Sequence, residues 1–433
     1  MTEDFIHFIW KFRLYQKELK TTNGEKIVII SPGIHNSDAG PDFFNVKLKI
    51  NETIWVGNAE VHICSSDWEK HQHYKDGAYN NVVLHIVYEH DKQIRRSDGT
   101  EPPTLELKDF IKAGLEEKYE QLTKNLLWIP CEKQIGRIEE LHLNNWLYRM
   151  LIERLEEKSQ LVNKIVEDFK GSWDDTFYVL LARNFGFKIN ALPFELLARS
   201  LPQQILAKHK GNIEQTEALL FGQAGFLREP EDEYSERLAK EYDFLRKKYH
   251  LKPVDSYLWK FLRLRPQNFP TLRIAQFAAL ISRSSRLFST VLEIKDVKKM
   301  RALFKDLPVG RYWESHYRLS KRADRVSNQL GDDSINSILL NTIVPMIFSY
   351  GKYTINENLV SHSVDILENL PFETNSLTAM FKNIGVKAGN AGTSQALIQL
   401  KKSWCDRKKC LNCAVGAKII NSDQNDTTHS RLL

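Results

Sequence analysis

The spacing of apolar residues changes character along the chain. Glu3 to Lys20 places Phe5, Ile6, Phe8, Ile9, Phe12 and Leu14 at helical intervals, with Thr2 positioned as a cap, and so predicts a helix. Thr21–Gly24 reads as a turn. Lys26–Ile30 is a β-branched strand, followed by a loop rich in Gly, Asn, Ser and Asp. Phe43–Ile50 alternates, which predicts a strand with Phe44, Val46, Leu48 and Ile50 on one face. Asn51-Glu52 is a turn before a third strand, Thr53–Ile63. Ser65–Tyr79 is polar and predicts a short helix plus loop. Val82–Tyr88 (VVLHIVY) is apolar enough for a central strand. A short strand is expected at Thr104–Leu107.

From Ile111 onward the period is helical, as in Trp146–Val166 and Trp173–Phe185, with prolines as breakers. No fixed-period repeat is visible. The pattern predicts an α+β protein in three parts: an α+β domain over 1–110, a helical domain over 111–420, and a disordered polar tail over 421–433.

Composition narrows the class. Of 433 residues, 42% are apolar and 27% charged, which is globular. No apolar run reaches eighteen residues, and the acidic start MTEDFIHFIWKF is not a secretory leader. Five Cys are too few for a disulfide framework, so a reducing cytoplasm is the expected location and a membrane is not an expected partner. The net charge of +6 is unevenly spread: residues 236–325 hold 22 Lys+Arg against 9 Asp+Glu. Seven of the thirteen histidines fall in the first 90 residues. A histidine-bearing site near the N-terminus and a basic surface further on are therefore expected.

Three groups of residues carry candidate chemistry. Asp42 opens the second strand and Glu60 lies on the third. Neighbouring antiparallel strands bring two such carboxylates together, where hard oxygen ligands suit Mg²⁺ or Mn²⁺ and an activated water for phosphodiester attack. His62 is two residues from Glu60, on the same strand face, placed to orient water or stabilise developing charge. His71 and His73 are open to two readings, as Zn²⁺ ligands with Asp76 and His62 or as lining for a phosphate path. Cys405, Cys410 and Cys413 form C-x4-C-x2-C, and Cys131 is the expected fourth ligand of a Zn²⁺ or [4Fe–4S] site. In the basic region, Tyr257–Pro266 interleaves aromatics with Arg263 and Arg265, and Arg273 follows. Guanidinium groups suit phosphate and aromatic faces suit unpaired bases, so DNA or RNA is the expected partner. There is no P-loop and no helix-turn-helix signature.

Pro41-Asp42 followed by Glu60-Val61-His62, in the order helix, strand, strand, strand, helix, strand, resembles the PD-(D/E)XK nuclease core, over about the first 90 residues. The resemblance implies a restriction-endonuclease-like αβββαβ fold in which the Asp and Glu hold the metal; the family's Lys is His62 here. Some nucleases of that kind carry an iron–sulfur staple built from one distant Cys and a C-terminal trio, to which the cysteine arrangement is similar. Over nearly the whole chain, Gly40-Pro41-Asp42-Phe43, Glu60-Val61-His62, Ser66-Asp67-Trp68, Asn81–His85 and Phe221–Gly225 resemble the uncharacterised DUF2851 family of Bacteroidota, which implies no established activity. The expectation is a nucleic-acid-binding protein and metal-dependent nuclease. The alternative is a non-catalytic nucleic-acid-binding or scaffold protein on a degenerate nuclease fold.

Overall fold

The computed structural model describes residues 1–422 except Lys17, Ser37 and Ser285. The expected tail lies outside the described residues from 423 on. The chain is α+β. A mixed sheet occupies the N-terminal part and a larger helical region follows. Among the described residues no helix is long and apolar enough to cross a membrane.

Helix α1 (Glu3–Lys11) starts where Thr2 Oγ1 accepts the Phe5 N–H, with Glu3 and Asp4 against the positive end of the helix dipole. It stops well short of Lys20. Arg13 takes a left-handed φ of 54°, which turns Leu14 and Tyr15 into the core. The sheet strands are β1 (Leu19–Lys20), β2 (Lys26–Ser31), β3 (Ile34–His35), β4 (Phe43–Ile50), β5 (Thr53–Cys64), β6 (Val82–Glu89) and β7 (Thr104–Glu106). The spatial order is β1-β2-β4-β5-β6-β7, with β3 also pairing β4. Pairing is antiparallel up to β5 and parallel for β5–β6 and β6–β7. Val82 to Val87 are all buried, as a parallel strand covered on both faces requires. Short β1 and β3 were not legible in the spacing.

A bulge in β4 corrects the expected face of that strand. Phe43 pairs with Ala59 and Val46 with Gly57, so Phe44 and Asn45 together oppose Asn58. Asn45 absorbs the extra residue at a φ of 56°. Phe43, not Phe44, therefore enters the core beside Val46, Leu48 and Ile50. The parity of the residue before it changes as well, which brings Asp42 to Glu60.

The crossover from β5 to β6 is a four-residue helix, α2 (Asp67–Lys70), and two 3₁₀ turns, His73–Lys75 and Gly77–Asn81. It is pinned at its base. Asp91 accepts from Ser65 Oγ, Ser66 N and Ser66 Oγ at 2.7–2.9 Å. Buried Trp68 donates its indole N–H to Arg95 O at 3.0 Å.

Two compact units divide the chain, and their boundary differs from the expected one at residue 110. The first comprises Met1–Trp146, Asn383–Val386 and the chain from Leu400 on. Segment 111–146 joins the N-terminal part through Tyr119, whose ring stacks on Phe5 of α1 at 4.7 Å, and through the Tyr15–Ile111 bridge, and the C-terminal segment is in turn tied to 111–146. Lys408 Nζ donates to the carbonyls of Thr123 and Asn125, His142 Nε2 bonds Ala414 O at 3.0 Å, and Trp404 packs edge-on to Trp146. The second unit, Leu147–Lys382 and Lys387–Gln399, is helical apart from a small hairpin, His316–Arg318 with Lys321–Arg322. Its core is the near-continuously buried helices Trp173–Phe185, Ile213–Gln223 and Pro270–Arg283, with Phe277 against Tyr178 and Phe185. Each fully buried Leu or Phe there contributes roughly 1.5–3 kcal/mol.

Candidate metal centre

The bulge joins the two carboxylates crosswise. Asp42 N–H donates to Glu60 Oε2 at 3.1 Å, and Val61 N–H donates to Asp42 Oδ2 at 3.0 Å. Asp42 Oδ2 also lies 3.2 Å from His7 Nε2, on α1. One oxygen of each carboxylate is thus engaged by a backbone amide. Glu60 Oε1 turns the other way, 3.2 Å from His73 Nε2 and 3.8 Å from His62 Nε2.

Around Glu60 Oε1 the crossover closes a histidine cluster. One ligand atom from each of His62, His71 and His73 lies within 4.8 Å of the others. His62 and His73 are buried, and His71 is open to solvent. His62 Nε2 and His71 Nδ1 are 3.1 Å apart. The His73 ring packs on Tyr79 at 3.9 Å and on Trp68 at 5.3 Å. A His-x-His pair on a regular helix would diverge. Here Gln72, at a left-handed φ of 60°, reverses the chain between the two and lets both rings converge. Asp76 is not part of the cluster, since its carboxylate caps the next turn through Ala78 N–H.

Behind His62 stands His85, fully buried on β6, with His62 Nδ1 and His85 Nε2 at 2.8 Å. For His62 to present a lone pair at Nε2, its Nδ1–H must donate to His85 Nε2, and His85 then carries its own proton on Nδ1. This is the arrangement by which an outer ring fixes the tautomer of a metal-ligating histidine.

The electrostatics suit neutral imidazole. Burial, then the neighbouring His85, His73 and His71, holds His62 down at about 2. Burial, then His73, holds His85 at about 3. Burial raises the Glu60 carboxyl, with the Asp42 charge adding to the rise and His73 opposing it. At His7 burial opposes the charge, but the hydrogen bond and charge of Asp42 outweigh it and raise the pKa. Three imidazole nitrogens suit Zn²⁺ or Mn²⁺ better than the oxygen-only Mg²⁺ site expected from Asp42 and Glu60 alone, and Glu60 Oε1 stands beside them, 3.2 Å from His73 Nε2.

The remaining expected site residues lie elsewhere. Arg263 and Arg265 are exposed, as are Leu262 beside them and Tyr257 in the 3₁₀ turn Ser256–Leu258. Arg273 is a correction. It is buried, its guanidinium bonded to Gln276 and Ser334 at 2.9–3.0 Å and to Asn268, and stacked 4.6 Å from Phe187. Burial lowers it to about 10. It braces the helical core and cannot reach a substrate. Cys131, Cys405, Cys410 and Cys413 all fall in the first unit, as does Cys64, whose N–H donates to Asp67 Oδ2 at 2.9 Å. His7, His35 and His85 were missed as site members. A lone histidine among Phe5, Ile6, Phe8 and Ile9 was the available signal for His7, whose ring meets His35 at 5.1 Å.

A family model described as "Protein of unknown function (DUF2851)" matches residues 3–376. No curated protein and no solved structure matches the chain.

Proposed function

The chain belongs to the DUF2851 family, whose description assigns no activity, and on the geometry we propose that it is a metal-dependent phosphodiesterase acting on nucleic acid. The convergence of His62, His71 and His73 on one another, with Glu60 Oε1 beside His73 and His62, carries this reading. A bound Zn²⁺ or Mn²⁺ would supply Lewis acidity and an activated water. The protein's own groups would do the rest. Glu60, its pKa raised by burial, accepts the proton of the attacking water. Asp42, 3.2 Å from His7 Nε2, raises the His7 pKa and so favours its charged form beside the site, the form that pairs with a phosphate oxygen. His71, the exposed member, marks the approach from solvent.

A nuclease-type core is part of the proposal. It is supported by the succession of α1, the antiparallel strands β2, β4 and β5 (with the two-residue β1 and β3 beside them), the crossover helix and parallel β6, with Asp42 just before β4 and Glu60 on β5. Nucleic acid as the substrate is supported by the basic surplus of residues 236–325 and by exposed Arg263, Arg265 and Tyr257.

Incubation with end-labelled single- and double-stranded DNA and RNA in Zn²⁺, Mn²⁺ or Mg²⁺ tests this. Cleavage is expected with Mn²⁺ or Zn²⁺ and should fall roughly hundredfold or more in Glu60→Gln, with nucleic-acid binding retained. A second reading, binding without cleavage, is favoured by the backbone amides that occupy an oxygen of each carboxylate. Salt-dependent binding with no cleavage under any metal would establish it and remove the nuclease.

A further inference from the structure

Resting on nucleic acid as the substrate, we infer that the basic hairpin 316–322 and the loop 259–266 form one surface that holds the phosphate backbone of the strand without reading its sequence. Both segments lie in the helical unit. Arg263, Arg265, Lys321, Arg322 and Arg325 are exposed and Arg318 is half-buried. Among the described residues none of these cations makes an ion pair or a side-chain hydrogen bond. The acids of 257–266 and 311–325 are Glu314 and Asp324, and neither pairs with a cation there. Arg237, Arg246, Arg301 and Lys305, elsewhere in the same basic stretch, do have carboxylate partners.

Contacts join the two segments. The Arg318 guanidinium lies 4.5 Å from the centroid of the Phe261 ring, and Phe261 packs on Phe269 at 5.3 Å and on Phe226 at 6.1 Å. Thr271 Oγ1, in the first turn of the helix Pro270–Arg283, donates to Tyr317 O at 2.6 Å. The hairpin is also tied to the cap of the helix Glu233–Tyr249. Ser320 N–H donates to Tyr312 Oη at 2.8 Å, and that hydroxyl donates to the capping residue Asp232, at Oδ2, at 2.6 Å. The Tyr312 ring stacks on Tyr234 and on His316, at 3.9 Å each. Arg263 and Ser320 both hold a left-handed φ of 61°, so each segment turns sharply where it carries its cations.

The charge arrangement points to an anion. The hairpin register sets Arg318 opposite Lys321. Like charges directly opposite across a strand pair destabilise it, and a lone two-stranded hairpin is marginal. The packing around Phe261, Tyr312 and Tyr317 therefore keeps together cations that repel one another, and an anion between them removes the repulsion. Guanidinium groups take phosphate oxygens two at a time. Neither 259–266 nor 316–325 contains Asn or Gln, the side chains that pair with adenine, so the contacts fall on phosphates, which carry no sequence information.

Fluorescence anisotropy of the full chain tests this surface. The probes are labelled oligonucleotides of two unrelated sequences, single- and double-stranded, in EDTA so that nothing is cut. Lys321→Ala with Arg322→Ala should weaken binding roughly tenfold at low salt and lower the slope of log affinity on log salt by roughly 1.5–2, equally for both sequences. Arg237→Ala with Arg246→Ala removes the same charge from paired positions and should leave affinity within about twofold. All four side chains are exposed, so both double variants should melt with wild type. If the hairpin variant melts early, Arg263→Ala with Arg265→Ala takes its place and should show the same loss. Binding by wild type that neither basic pair alters overturns this surface and leaves nucleic acid as the substrate. Equal losses in the hairpin variant and the Arg237/Arg246 control would reduce the effect to net charge and overturn it too, as would affinities that differ more than roughly tenfold between the two sequences. Wild type that binds no oligonucleotide removes the nucleic-acid reading and this surface with it; binding to phosphatidylserine vesicles instead would assign the cations to lipid.

Discussion

Replacing Glu217 by Gln should make the helical unit more stable at alkaline pH, by an amount the structure sets. Glu217 lies in the helix Ile213–Gln223, 3% exposed. Its Oε2 accepts the Tyr234 hydroxyl proton at 2.8 Å, and Tyr234 Oη in turn accepts the Trp313 indole N–H at 3.2 Å. Burial raises its pKa from an ordinary 4.5 to about 7, against the opposing hydrogen bond from Tyr234. A carboxyl whose folded pKa lies above its unfolded one binds its proton more tightly in the native state. Its stabilising contribution is complete below pH 4.5, is lost as pH rises through 4.5 to 7, and is gone above that. The gap of about 2.5 pH units corresponds to about 3 kcal/mol. Gln keeps the shape and the acceptor for Tyr234 but carries no charge at any pH. Urea melts of the full chain, followed by Trp fluorescence at pH 4.5 and pH 8, should show the variant gaining about 3 kcal/mol on wild type between the two. Curves that stay parallel over that range would mean that Glu217 is hydrated in the folded state, and the burial argument fails.

Further outcomes follow from local geometry. Gly222→Ala should destabilise the helical unit by about 1–3 kcal/mol in a thermal melt, because the new Cβ would stand 2.1 Å from the Tyr242 ring; an unchanged melting temperature would show that ring free to move. Asn45→Gly should leave the sheet-bearing unit nearly unchanged, whereas Asn45→Val should cost about 1–2 kcal/mol for a β-branched residue at a left-handed φ. Equal melts for the two would remove the strained bulge. Reversing Arg263 and Arg265 to Glu should weaken nucleic-acid binding and flatten the slope of log affinity on log salt by roughly 1.5–2, one counterion per lost phosphate contact. Fluorescence anisotropy at several salt concentrations reads this, and an unaltered slope assigns the exposed loop no contact.

Strand spacing and strand identity were open to the sequence because side-chain period is a local property: Phe43–Ile50 alternates, Val82–Tyr88 is apolar but for His85, and the strands observed, Phe43–Ile50 and Val82–Glu89, differ from these by one residue at most. The early α+β part, the helical remainder, and Asp42, Glu60 and His62 as site candidates were legible for the same reason. So was the C-x4-C-x2-C run. What stayed hidden depends on chain reversals and on partners distant in sequence. The end of α1 rests on one left-handed residue, Arg13, whose turn matters only because Tyr15 finds Ile111. The core face of β4 rests on the extra residue at Asn45, invisible to a period-two count that treats the strand as regular. Arg273 looked like its exposed neighbours Arg263 and Arg265, since charge spacing does not report burial; the guanidinium is spent on Asn268, Gln276, Ser334 and Phe187. His71 and His73 gain meaning from the left-handed Gln72, His73 also from Glu60 on β5, and His7 from Asp42 across the bulge. The chain thus names the donors through residue type and local period, while only the tertiary structure decides which of them meet, because convergence is set by a few backbone reversals and by contacts that no local pattern encodes.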